Sequence, residues 1–128
     1  MNAPLELRAL RGATTAEANT CEAIAEAVNE LVDAVVCRNR LLGPQVLSVT
    51  FSVTADLDAC FPAAIARRRA DWDGVALLDC QQMAVRGDLP RCIRLLAHVW
   101  LETGQQPAHA YLREAARLRP DRLPEAGS

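Results

Sequence analysis

The chain has no Cys-x-x-Cys pair, only two histidines, an acidic rather than basic charge balance, and no apolar run of the ~18 residues that a membrane-spanning helix needs. Each absence removes a class of function. The five cysteines, Cys21, Cys37, Cys60, Cys80 and Cys92, are odd in number and widely spaced, which suits a reduced cytoplasmic compartment better than a disulfide framework or a thiolate metal site. His98 and His109 are too few and too far apart for a metal centre or a catalytic triad, so no resident metal is expected and both read as structural. A net charge of −2 argues against nucleic acid as a partner. The Arg67-Arg68-Arg69 run has no interleaved aromatics and reads as a solvated helix face, with Arg67 its one candidate functional residue. The start, Met1 to Leu7, lacks the basic and apolar regions of a secretory signal.

With 128 residues, half of them apolar, the chain is expected to form a single domain over 1–128 with flexible ends at 1–4 and 122–128. No repeat, linker or low-complexity tract interrupts it. Leu5 to Leu10 reads as a short strand halted by Gly12, with Arg11 at its end. Thr20 is placed to cap a long helix, because Ile24, Val28, Leu31, Val32 and Val35 follow the 3.6-residue period while Glu22, Glu26 and Glu30 lie off that stripe. Gly43-Pro44 closes the segment.

Val46 to Thr54 alternates strictly, with Leu47, Val49, Phe51 and Val53 against Ser48, Thr50, Ser52 and Thr54, as a strand requires. A short helix capped by Asp58 is expected from Pro62 to Arg69, then a strand from Val75 toward Cys80. Cys92 to Leu101 is a further strand, with Arg94, Leu96, His98 and Trp100 on the face opposite Ile93, Leu95, Ala97 and Val99. The apolar neighbours of Arg94 predict burial on both faces, and Cys92 reads as a small buried apolar residue. Pro107 could open a helix through Arg117, although Tyr111-Leu112 could equally be a strand. These elements predict an α+β fold, a mixed sheet with helices on one face.

Two arginines on separated segments, Arg11 and Arg94, and a tyrosine near the C-terminus, Tyr111, form a residue set suited to holding a carboxylated molecule. The motifs around them occur in a recognisable order. Arg11-Gly12-Ala13-Thr14-Thr15 comes first, then Thr54-Ala55-Asp56-Leu57 with Phe61-Pro62-Ala63, Trp72, and Leu89-Pro90-Arg91-Cys92-Ile93-Arg94. Tyr111-Leu112-Arg113-Glu114-Ala115 and Leu118-Arg119-Pro120-Asp121 complete the series. In this ordered set the chain resembles the trimeric, barrel-like class of chorismate mutases.

The resemblance implies a cofactor-free rearrangement of chorismate, a dicarboxylate, to prephenate, in pockets between adjacent subunits of a homotrimer. No membrane or nucleic-acid partner is implied. By position, Arg94 matches the arginine at the substrate's ether oxygen, and Arg11 and Tyr111 match residues that hold carboxylates. Phe61, Ala63 and Leu118 match apolar pocket walls, while Arg67 and Arg119 match basic residues near the pocket and its C-terminal edge.

In an ungapped register from Trp72 to Arg94, Asp79 stands where the family commonly has cysteine and Gln82 where it has glutamate. Both positions face the substrate's ring hydroxyl in the family, so Asp79 and Gln82 are expected to meet it here. A register shifted by one would instead put Cys80 at the cysteine position. The exchange leaves open two alternatives, an isomerase or pericyclase of specialised metabolism acting on another carboxylated substrate, and a non-catalytic ligand-binding relative.

Overall fold

A computed structural model describes residues 4–119. Five strands and two α-helices alternate along them: β1 (Leu5–Thr15), α1 (Cys21–Asn39), β2 (Val46–Val53), α2 (Pro62–Ala66), β3 (Ala76–Gln81), β4 (Cys92–Glu102) and β5 (Ala110–Tyr111). A 3-10 stretch, Arg113–Leu118, follows β5. The strands form one mixed sheet in the order β3-β2-β4-β1-β5, in which β4 runs antiparallel to β1 and β2, while β3 pairs parallel with β2 and β5 parallel with β1. The mixed sheet read from the sequence is the one observed.

α1 forms where the apolar period predicted it. Thr20 caps it, its hydroxyl accepting from the Ala23 N–H at 3.1 Å. The buried stripe of Ile24, Ala27, Val28, Leu31, Val32 and Val35 packs on one face of the sheet, against Leu10, Val49, Phe51, Ile93, Leu95, Ala97, Val99 and Leu101. Each fully buried Leu, Ile or Val of that stripe stabilises the fold by about 1.5–3 kcal/mol. The helix stops at Asn39, earlier than Gly43-Pro44, because Arg40 turns into the left-handed conformation at φ 51°. Asn39 is itself buried, and its side chain donates to Val35 O and Ala108 O and accepts from Ala108 N. That contact fixes the segment leading into β5.

Several boundaries differ from the sequence reading. β1 runs through Gly12 to Thr15, so Arg11 lies within the strand and not at its end. Gly12 is there for closeness: a Cβ on it would stand 3.0 Å from Ala110 O and 3.0 Å from Leu31 Cδ1. A register shift between Val46 and Ser48 in the β2–β4 pairing puts Val46 into the core and leaves Leu47 exposed. α2 is shorter than expected and starts at Pro62 with no side-chain cap; Asp58 instead pairs with the Asn19 side chain. No C-terminal helix forms from Pro107, because Tyr111 joins the edge of β1 and the Leu112 N–H donates to Ala13 O at 2.8 Å.

The second face of the sheet is covered by the described residues only at one end, where Tyr111 and Ala115 pack on Ala13. Elsewhere on it Leu7, Leu78, Leu96 and Trp100 are exposed, Trp100 at 37% and Leu78 at 62%. The burial expected around Leu96 and Trp100 is therefore not achieved within one chain, since both helices sit on the opposite face. Of the ends expected to be flexible, residues 1–3 and 122–128 lie outside the described residues, as does Pro120-Asp121, whereas Pro4 O accepts from the Thr103 N–H.

Candidate active site

Strand register sets the site on the largely uncovered face. Ala13 pairs with Arg94, Arg94 with Ser52, and Ser52 with Cys80, so these four residues form one row across β1, β4, β2 and β3. In the adjacent row Arg11 pairs with Leu96, Leu96 with Thr50 and Thr50 with Leu78. Both arginines thus project to one side. A cavity of about 470 Å³ opens there, lined by Arg11, Thr50, Ser52, Cys80, Arg94 and Tyr111, with Leu118 and Arg119 at its C-terminal wall. Five of the residues expected in the site therefore come together: Arg11, Arg94, Tyr111, Leu118 and Arg119.

Tyr111 is held in a small buried cluster with Ala13 and Ala115, against which Leu89 and Leu118 pack. β5 thereby fixes the phenol beside the arginines. The guanidinium of Arg94 is anchored at one end, where Nη2 donates to Asp88 Oδ1 at 3.2 Å. Its Nε is buried with no hydrogen-bond partner among the described residues. The arginine thus lines the cavity with its plane held from one end and one desolvated donor left without an acceptor. Cys92, beside Arg94 on the same face, is buried as expected; burial pushes its thiol up, with Arg94 opposing that shift.

Gln82 reaches the same region from the end of β3. Its N–H donates to Val53 O at 2.7 Å and its Oε1 accepts from the Ser52 hydroxyl at 2.8 Å, so it touches a lining residue without lining the cavity.

Asp79, Phe61, Ala63 and Arg67 lie elsewhere. Asp79 pairs with Phe51 in the sheet and so faces the helical side, where its Oδ1 accepts from the Ala63 N–H at 3.0 Å. Phe61, 70% exposed, and Asp79 line a second cavity of about 630 Å³ at the β3 edge. Burial raises the Asp79 carboxyl above its ordinary range, against the lowering effects of the Ala63 N–H and of Arg67 nearby. Cys80 lines both cavities, because β3 is the edge strand between them. Within one chain, Cys80 and not Asp79 shares the row of Arg94.

Sequence reasoning did not single out Ser52, Thr50 or Asp88. The alternation of β2 could have indicated the first two, since both belong to its polar face. Nothing periodic marks Asp88, which lies in the loop between β3 and β4. Among the described residues no group of three or more His, Cys, Asp or Glu side chains could hold a metal ion, and no helix is long and apolar enough to cross a membrane.

Comparison with known proteins gives this arrangement its context. The family model for chorismate mutase type I matches residues 7–122. The chain belongs to the type I chorismate mutase family. The chorismate mutase AroH of Thermus thermophilus is 44% identical over 117 residues, covering 90% of this chain and 95% of that protein. The AroH enzyme of Bacillus subtilis is 36% identical over 116 residues, covering 90% and 91%. A solved chorismate mutase from Clostridium thermocellum superposes with a TM-score of 0.79 at 35% identity, covering 86% of this chain and 98% of that one. The activity is accordingly that of a chorismate mutase, an isomerase. The matched span includes both residue groups, the Arg94 cavity and the Phe61–Asp79 surface.

Proposed function

We propose that chorismate is rearranged to prephenate in the Arg94 cavity of one subunit, closed by the Phe61–Asp79 surface of the next subunit in a homotrimer. The observation that carries the assignment is the Arg94 guanidinium, held by Asp88 at the wall of a cavity that Arg11 and Tyr111 also line. In this pericyclic step the ether C–O bond breaks ahead of C–C bond formation, so negative charge grows on the ether oxygen. A guanidinium already fixed in place stabilises that charge more than it stabilises the ground state, which lowers the barrier.

The remaining roles follow from charge and position. Arg11 and Tyr111 hold carboxylates, and Arg119 with Leu118 closes the C-terminal side. Holding the enolpyruvyl arm folded over the ring supplies an orientation effect, and all bond changes stay within the substrate, which calls for no cofactor. Asp79, Ala63, Arg67 and Phe61 act from the neighbouring subunit, Asp79 accepting the ring hydroxyl's proton in a hydrogen bond while Gln82 assists through Ser52. The trimer reading is supported by the largely uncovered apolar sheet face and by the two groups lying on different faces of one chain. We place the enzyme in the cytoplasm on the pattern of its scattered free cysteines.

The test is the loss of chorismate absorbance with purified protein beside Arg94→Ala. The variant is expected to fold and to lose roughly three orders of magnitude in turnover, as for removal of a principal oxyanion donor. Near-full turnover in Arg94→Ala would sink the assignment.

A further inference from the structure

We propose that Asp88 is the positioning residue for Arg94, fixing the guanidinium at the cavity wall by its Nη2 end so that its remaining N–H groups are held for the reacting oxygen. The inference rests on the role assigned to Arg94 above. An arginine side chain has four rotatable bonds, so a catalytic guanidinium needs a second contact to hold its plane. Asp88 Oδ1 supplies that contact at 3.2 Å from Nη2, and the same oxygen accepts from the Leu89 N–H at 2.8 Å. The neutral alternative is already engaged, since Gln82 Oε1 accepts from Ser52.

The carboxylate is itself held. The Asp88 N–H donates to Val85 O at 3.1 Å in a turn shaped by Gly87 at φ 83°. Three residues on, Arg91 adopts φ 48°, its N–H donating to Asp56 Oδ2 at 2.9 Å and its Nε to Ala16 O at 3.0 Å. The loop is thereby tied to the ends of both β1 and β2. Asp88 is the less exposed partner, its side chain 20% accessible against 36% for Arg94. A partly desolvated charge pair on an anchored loop holds its geometry better than a surface pair between two mobile side chains.

The charge of Asp88 also acts on the substrate. A carboxylate one residue away from a site for a dianion opposes capture, while its grip on Arg94 favours the transition state. Removing the charge therefore lowers kcat without raising KM, which a merely structural role would not do.

Asp88→Asn, Asp88→Glu, Arg94→Ala and the double variant Asp88→Asn/Arg94→Ala test this by steady-state kinetics with thermal melting alongside. Asp88→Asn is expected to lower kcat by about ten- to a hundredfold, the worth of a charge-assisted hydrogen bond, at unchanged or lower KM. Asp88→Glu is expected to recover part of the loss, and Asp88→Asn to cost nothing further once Arg94 is gone. A wild-type kcat in Asp88→Asn, or a fall matched by a rise in KM, overturns the proposal. If Arg94→Ala retains turnover, the assignment of the site fails first; if it is inactive while Asp88→Asn is unimpaired, only the role of Asp88 fails.

Discussion

Asp79 and Arg94 lie on opposite faces of one sheet, with β2 between their strands. No choice of rotamers brings both side chains to one ligand within a single chain, because strand alternation sends them to different sides. A site that uses both residues is shared between chains. Mixing two inactive variants, Arg94→Ala and Phe61→Asp, should then restore activity after denaturation and reassembly. In a cyclic trimer every mixed assembly contains one site with both halves intact, so an equal mixture regains about a quarter of wild-type turnover. Phe61 is exposed, so its variant is expected to fold, and a mixture as inactive as its parts would place the whole site in one chain.

Arg11 is expected to act on binding more than on rate. It stands one row from Arg94, on the same face, and a carboxylate it holds is charged equally in the ground and transition states. Arg11→Ala should raise KM by about ten- to a hundredfold with a smaller effect on kcat, and Arg11→Lys should fall between, having lost bidentate geometry but not charge. Steady-state kinetics decide it, and an unchanged KM in Arg11→Ala would remove the carboxylate from that place.

How far the sequence disclosed this site depended on which physical signal each residue carried. α1, β2 and β4 were legible because burying one face imposes a period of 3.6 or 2, and the row holding Arg94 and Ser52 follows from two such patterns. Gly12 carries the local signal of a strand stop and is not one, since the reason for a glycine there, the approach of Ala110 O and Leu31, belongs to tertiary structure. The Pro107 segment carried weak helical and strand signals, and the free backbone edge of β1 decided between them. Arg11, Arg94 and Tyr111 stand in ordered motifs, and the fold brings them to one cavity. Asp88 left no trace, because one ion pair from an irregular loop imposes no period on its neighbours.

Asp79 and Asp56 should leave opposite signatures in the pH dependence of stability. Burial raises the Asp79 carboxyl from the ordinary 3.8, so the fold favours its neutral form; that contribution is complete below the ordinary value and is lost as pH rises through the folded one. For Asp56 burial also opposes ionisation, but the Thr54 hydroxyl, the Arg91 N–H and the charge of Arg91 outweigh it and hold the carboxyl low. Its stabilisation is present above the ordinary value and lost as pH falls. Urea denaturation should therefore find Asp79→Asn gaining on the wild type between strongly acid and neutral pH, and Asp56→Asn losing ground over the same range. The two variants share size and charge change, so a common effect of removing one negative charge would move them together. Curves that diverge from the wild type in opposite directions trace the difference to their sites: Asp79 desolvated against α2, Asp56 ionised under the loop that carries Arg91 and, three residues before it, Asp88.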